Sequence, residues 1–535
     1  MASNPADLNR YAAMRSARQL LIILGDQLDA GMEALAQLDR DGDAVLMAEV
    51  RAEAETGTSH RQRTTLFLSA MRHFALWLIE QGYRVRYVQL DDRANTQSLG
   101  SELARAIGAL KPDRVRVIRP GDHRVTALLR DAAAAQGASL EILPDRSFTC
   151  SLEEFDRWAG DGRKSLVMEY FYRQRRRALG VLVDGDGRPV GGQWNFDAEN
   201  RKAFRRAPAV PRPYQAVPDA ITRQVMELVE RTWPGAPGSM DHFHWPVTRK
   251  EALRALQDFV DNRLGRFGDH EDAMWAGEPV LYHSQLASSL NLKLLRPREC
   301  IDAALAAYEA GQLPLNSVEG FVRQIIGWRE FIRGVYYHEG PAYRLRNGLG
   351  QHGDLPEFYW SGETGMNCLH HCVNEVLENA WGHHIPRLMV LGNFAMTAGV
   401  HPARVNDWFL AMYVDAVDWV TTPNVIGMSQ HADHAVVGTK PYAAGANYIN
   451  RMSNYCRGCR YDPKRRLGEG ACPFNVFYWD FLLRHHERFA DNARMQLALK
   501  NAARLPEGER KALRAAAAQL RVEFGIGQDT APAGR

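Results

Sequence analysis

At 535 residues the chain is too long for one hydrophobic core, so two or more domains are expected. Hydrophobic content of 45% with 24% charged residues is that of a globular protein in water, and no run reaches the roughly 18 apolar residues a membrane span needs. A net charge of +3 neither demands nor excludes a polyanion, which would have to be met by a local patch. Only 7 cysteines, and no apolar signal core between Met1 and Arg18, point to a reducing, cytoplasmic setting in which thiolates stay free to bind metal.

From about residue 18 to 145, short apolar runs alternate with amphipathic stretches. Leu20–Leu24, Ala44–Ala48, Val85–Leu90, Val115–Ile118 and Leu140–Leu143 read as strands. Thr64–Gln81, Leu99–Leu110 and Thr126–Gln136 read as helices between them. This alternation predicts a doubly wound parallel sheet, an α/β domain whose ligands bind beyond the carboxyl ends of the strands. Gly25-Asp26-Gln27 and the stretch ending at Glu53 are two such ends. No Gly-x-Gly-x-x-Gly is present, so nothing supports a dinucleotide here.

Residues 146–247 read as a long, largely irregular connector, rich in Gly, Pro and Arg after a basic amphipathic helix over Lys164–Arg177. From residue 248 to 526 the helical period dominates. Helices are expected at Glu251–Leu264, Pro297–Ala310, Val318–Tyr337, Leu369–Trp381, Ile385–Ala398, Arg404–Val414 and Phe474–Glu487. Residues 527–535 read as a disordered tail.

Cys456 and Cys459 form a Cys-x-x-Cys pair, and Cys472 follows just before Pro473. Two thiolates that close together can grip one inorganic centre from a single turn, and the proline stiffens the third approach. Cys368 or Cys372 can supply a fourth ligand. Four thiolates suit either a [4Fe–4S] cluster or a structural zinc. His383 and His384 are adjacent, so on a helix they point about 100° apart and are poor joint metal ligands.

Several segments, taken together, resemble the cryptochrome/photolyase family, in particular its iron–sulfur bacterial branch with the prokaryotic (6-4) photolyases. They are Tyr282–Asn291, Ile325–Phe331, Trp381–Arg387, Asn406–Trp408, Tyr413–Ala416 and Pro423–Met428, and the resemblance extends through Leu24–Leu28, Ser165–Tyr172 and Gly191–Asn200. The resemblance implies an α/β antenna domain followed by an all-α FAD domain. It selects Cys368, with Cys456, Cys459 and Cys472, as ligands of a [4Fe–4S] cluster. It places FAD against Ser284, Gln285, Leu286, Trp328, Arg329 and Asn424, with Arg387 and Asp415 as an Arg–Asp pair on the isoalloxazine face. Ser284–Leu286 is read as a helix start whose free N–H groups could meet a pyrophosphate.

The His-His-x-x-Arg pattern implies catalytic roles for His383 and His384, because repair of a (6-4) lesion needs proton transfer as well as an electron. Trp360 and Trp408 are expected to relay electrons to the flavin, with Phe409 where a tyrosine often stands. The implied antenna is 6,7-dimethyl-8-ribityllumazine at Gly25, Asp26, Gln27 and Glu53. The implied partner is ultraviolet-damaged DNA, bound by a likewise implied monomer. Its flipped bases are expected beside Tyr442 and Tyr448, and its phosphates at Arg173, Arg175–Arg177, Arg451 and Lys464–Arg466. The rival expectation is a cryptochrome-type blue-light photoreceptor with the same flavin photochemistry.

Overall fold

The computed structural model describes residues 5–55, 58–160 and 165–527. Its five strands are β1 (Gln19–Ile22), β2 (Ala44–Ala48), β3 (Val85–Val88), β4 (Arg114–Ile118) and β5 (Leu140–Leu143). All pairings are parallel, in the order β3-β2-β1-β4-β5. The nearly continuous apolar runs of β1 and β2 are buried on both faces, as a sheet covered by helices on each side requires. The strand order reverses between β1 and β4, which opens a crevice at their carboxyl ends.

The stretch read as an irregular connector carries three helices, Leu152–Ala159, Met168–Leu179 and Ala220–Thr232. The first is fixed by a Ser151/Glu154 capping box, which the sequence displays and a composition reading passes over. The basic helix begins at Met168, and Lys164 lies outside the described residues. That helix is not a free cationic face. Arg175 and Arg176 are buried, and Arg176 donates to the carbonyls of Val181, Leu182 and Trp194, closing the turn that follows.

The helical half follows the expected spans closely, and Gln496–Ala503 and Glu507–Glu523 are added beyond them. Of the tail read as disordered, residues 528–535 lie outside the described set. Among the described residues no helix is long and apolar enough to cross a membrane. The two halves are bolted together by polar contacts at their joint. Lys293 pairs with Asp145 at 2.8 Å, Arg296 with Asp29 at 2.9 Å, and the Leu28 N–H donates to the Leu292 carbonyl. The buried imidazole of His60 caps the helix Arg61–Glu80 through Nδ1 and reaches the Leu377 carbonyl through Nε2 at 3.0 Å.

Candidate active site: a helical cleft with three histidines

Three π-helical turns stand here: Arg323–Arg329 and Pro386–Gly392, inside stretches expected as ordinary α-helix, and Asn424–Ser429, where no helix was expected. Each supplies a wall of one cleft, whose empty volume, open mouth included, is about 1520 Å³. Trp328 and Arg329 come from the first, Arg387 and Leu388 from the second, Asn424 and Val425 from the third. Single π turns inside α-helices are rare and frequent at functional sites, because the extra residue re-aims neighbouring side chains.

Arg387 grips Asp415 with two parallel hydrogen bonds of 3.0 and 2.9 Å, the geometry that makes such pairs rigid. Asn291 ties the walls together: its amide donates to the Asp415 carbonyl and its oxygen accepts from Arg329. Arg329 also lies over the Trp419 ring, 4.7 Å from its centroid. Ser288 Oγ, Ser289 Oγ and Arg329 Nε are buried beside this cleft without a hydrogen-bond partner. Unpaired buried donors cost free energy unless something polar meets them, so the region is built for a polar occupant.

Ser284, Gln285, Trp328, Arg329, Arg387, Asp415 and Asn424 all line the cleft, as does Thr421. Leu286 does not: its side chain is buried in the hydrophobic core, as an apolar residue at that turn should be. The expected helix start is also corrected. The helix there is Ala287–Asn291, and the Leu286 N–H donates to Ser284 Oγ.

His383 and His384 face the same cleft, and His283, which sequence reasoning did not single out, joins them. Burial first, then the neighbouring imidazoles and Arg387, hold His383 well below the ordinary histidine value. The dense protein around His384, and then Arg387, push it down to about 4. Its ring is nevertheless open to solvent at the cleft mouth, and this exposure weakens the first cause. Glu271, also in the wall, is pushed up to about 8 by burial and then by Asp272. The signal for His283 was its place in Tyr282-His283-Ser284; Glu271 carried none.

Tyr442 and Tyr448 are not among the side chains lining the cleft. Both are half-buried beside it, where Tyr448 faces Asp272. Trp408 is buried, donates to the Tyr359 carbonyl, and meets Phe409 edge-on at 5.1 Å. Phe409 itself reaches the cleft wall, stacked on Tyr413. Trp360 is half-buried on the short helix Phe358–Ser361, next to Tyr359.

A second cavity, about 1150 Å³ with its opening, occupies the crevice at the strand ends. Gly25, Asp26 and Glu53 line it, roofed by Val417 and Asp418 from the helical half and by Trp233. Glu53 is clamped by Arg124 at 3.1 and 2.7 Å, and burial pushes the Asp26 carboxyl up. Gln27 is turned away: its amide is spent on Leu24 N–H and the Ile118 carbonyl.

Cys368, Cys456, Cys459 and Cys472 line a third, small cavity with Tyr455, Tyr461 and Phe474. Cys372 is buried but does not face it. Among the described residues no three His, Cys, Asp or Glu side chains are grouped as ligands of a metal ion. Burial, followed by the crowding of neighbouring thiols, pushes Cys456 up to about 12. The Cys368 thiol is likewise raised, by the same two causes.

A family model described as deoxyribodipyrimidine photo-lyase-related protein matches residues 21–245. A protein of Agrobacterium fabrum named (6-4) photolyase is 49% identical over 94% of this chain and 98% of its own length. The chain belongs to the cryptochrome/photolyase family. The fold agrees with that membership. A bacterial class III photolyase from Agrobacterium tumefaciens superposes with a TM-score of 0.55 at 14% identity, covering 95% of this chain and 98% of that one. A Synechocystis cryptochrome superposes with a TM-score of 0.57 at 14% identity, covering 82% and 87%. A photolyase/cryptochrome protein carries FAD, and the π-walled cleft fits it. The cleft is roomy, lined in part by the rings of Phe267, Phe321, Trp328, Trp381 and Phe409, and edged by unpaired donors and a fixed Arg–Asp pair.

Proposed function

We propose that this protein is a light-driven DNA lyase that repairs pyrimidine (6-4) pyrimidone photoproducts, with FAD held in the helical cleft. The observation that carries the reading is the pairing, in one cleft, of the Arg387–Asp415 clamp with His384 at the mouth and His383 behind it. The relative named (6-4) photolyase, similar over almost the whole chain, supports it. When bound, reduced FAD supplies the light-driven electron, which returns at the end so that no net redox change remains. Arg387, Asp415, Asn424 and Arg329 bind and orient the flavin, and Trp328 and Leu388 exclude water around it. The lesion's hydroxyl must move between two pyrimidines, and His384 holds the proton for that transfer at a ring edge open to the incoming base. His383 lies behind it as a second, neutral polar contact. Trp408, with Trp360 further out, is assigned to relay electrons toward the cleft.

Residues 18–145 are assigned to an antenna domain, 146–247 to a helical connector, and 248–526 to the FAD and cluster domain. The strand-end crevice fits 6,7-dimethyl-8-ribityllumazine, a neutral polar molecule, through Gly25, Asp26 and Glu53; Gln27 drops out. The four thiols surround a cavity in which burial pushes the Cys368, Cys456 and Cys472 thiols up, so a cationic centre is needed to hold these as thiolates. A [4Fe–4S] cluster has several metal atoms, so its ligands stand further apart than four sulfurs around one zinc. DNA phosphates would meet the exposed Arg451, Lys464 and Arg465 and the half-buried Arg173, whereas Arg175 and Arg176 are internal.

The test is blue-light repair of an oligonucleotide carrying a single (6-4) photoproduct, alongside the absorption spectrum of the purified protein. Repair together with flavin bands and a broad brown shoulder supports the assignment. Flavin photochemistry with no repair transfers it to the photoreceptor alternative.

A further inference from the structure

We propose that His283 is a positioning residue: it holds the His383 ring face to face with its own and keeps that ring uncharged. The purpose of this arrangement rests on the repair reading; its test does not.

The two imidazoles stack with centroids 4.1 Å apart and planes 18° from parallel. His283 is itself fixed from two sides. Its Nε2 lies 3.2 Å from the Glu271 carbonyl oxygen, and Phe267 meets its ring edge-on at 5.4 Å. A carbonyl oxygen only accepts, so Nε2 of His283 carries the hydrogen. His383 is 4% exposed, and its Nδ1 is buried with no hydrogen-bond partner. A proton added there would gain no acceptor and would face a second imidazole at stacking distance.

The charged and titratable groups around the pair reinforce this. Arg387, and His384 whenever it is protonated, disfavour a positive charge on either ring. Glu271 offers no free counter-ion: burial pushes its carboxyl up to about 8, and both oxygens already accept from the amides of Asn200 and Gln324. Burial, with His384 and Arg387, pushes His283 down to about 3, so it too stays neutral. The stacked pair is therefore an uncharged platform, and the acid–base task falls on the solvent-open His384.

The experiment is a histidine NMR titration of the isotope-labelled holoenzyme between about pH 5 and 8, with His383 assigned by loss of its signal in His383→Gln. In the native protein His383 is expected to show no midpoint in this window. In His283→Phe, whose π face attracts a cation where the second imidazole does not, its midpoint should move up into this window. His283→Gln, which can still donate to the Glu271 carbonyl, should give the same upward shift if the Phe variant folds poorly, with flavin absorbance reporting an intact cleft. No shift in a folded variant overturns the proposal. A native protein that repairs no (6-4) lesion refutes the repair reading alone, and the titration still decides this inference.

Discussion

Acid should weaken the joint between the two halves through His60. This residue is fully buried, its Nδ1 accepts the Gln62 N–H, and its Nε2 reaches the Leu377 carbonyl. Protonation would convert Nδ1 from acceptor to donor and break the helix cap. Burial is the main cause that lowers the group from 6.5 to about 4. The folded value lies below the unfolded one, so the unfolded chain takes up the proton first. Stability is intact above about pH 6.5 and is lost as pH falls toward 4. Linkage over this window gives a loss of about 2 kcal/mol at pH 5 and about 3 kcal/mol at pH 4 from this residue alone. His485 and His431, lowered to about 3 and 4 by burial, act in the same direction, so the comparison must be with a variant. His60→Gln can accept from Gln62 and donate to Leu377 without titrating. Urea unfolding at pH 7, 5 and 4 should show the variant losing about 3 kcal/mol less than the native protein over the range. Equal losses in the two proteins would refute the assignment of acid sensitivity to this joint.

Three further outcomes are expected. Cys368→Ala should abolish bound iron and weaken the fold, whereas Cys372→Ala should leave iron intact, both read by metal analysis; full iron in the Cys368 variant sinks the ligand set. His384→Ala should keep FAD near full occupancy while repair of (6-4) lesions falls by about two or more orders of magnitude, and an unchanged yield removes the residue from catalysis. Glu53→Ala should release lumazine, detected by fluorescence chromatography of the denatured protein. Repair should then slow in dim blue light without ending, and a fully retained chromophore places the antenna contact elsewhere.

The sheet was legible because β1 and β2 are largely apolar runs and β4 alternates Arg with Val, each bounded by helical periods, and that contrast survives any ambiguity at the ends. The cleft walls were legible through quoted motifs, which carry Trp328, Arg387 and Asn424 to one place without saying how. What stayed hidden depended on packing direction. Nothing in the order Gly25-Asp26-Gln27 says that one amide turns inward while its neighbour faces the crevice. Leu286 shows the converse, an apolar residue inside a polar motif that belongs to the core. The arginines of Met168–Leu179 read as a nucleic-acid face because charge runs usually lie in solvent, yet Arg176 satisfies three carbonyls instead. The stacking of His283 on His383 joins residues a hundred positions apart, beyond the reach of any local pattern.

The π turns carry a consequence for how a bundle can be hollowed. A cavity between helices is commonly made by shrinking side chains, which thins the contacts behind it. Here three wall turns of the cleft carry the wider π winding, each with one residue more per turn than an α-helix. The residues on their far sides can therefore remain large, and Ile326, Val390 and Ile426 are all fully buried in the core. The walls are thus backed by dense packing, and a molecule lying against them rests on a surface with little freedom to yield. Removing a single residue from any of the three turns would close the gap more surely than enlarging any one side chain.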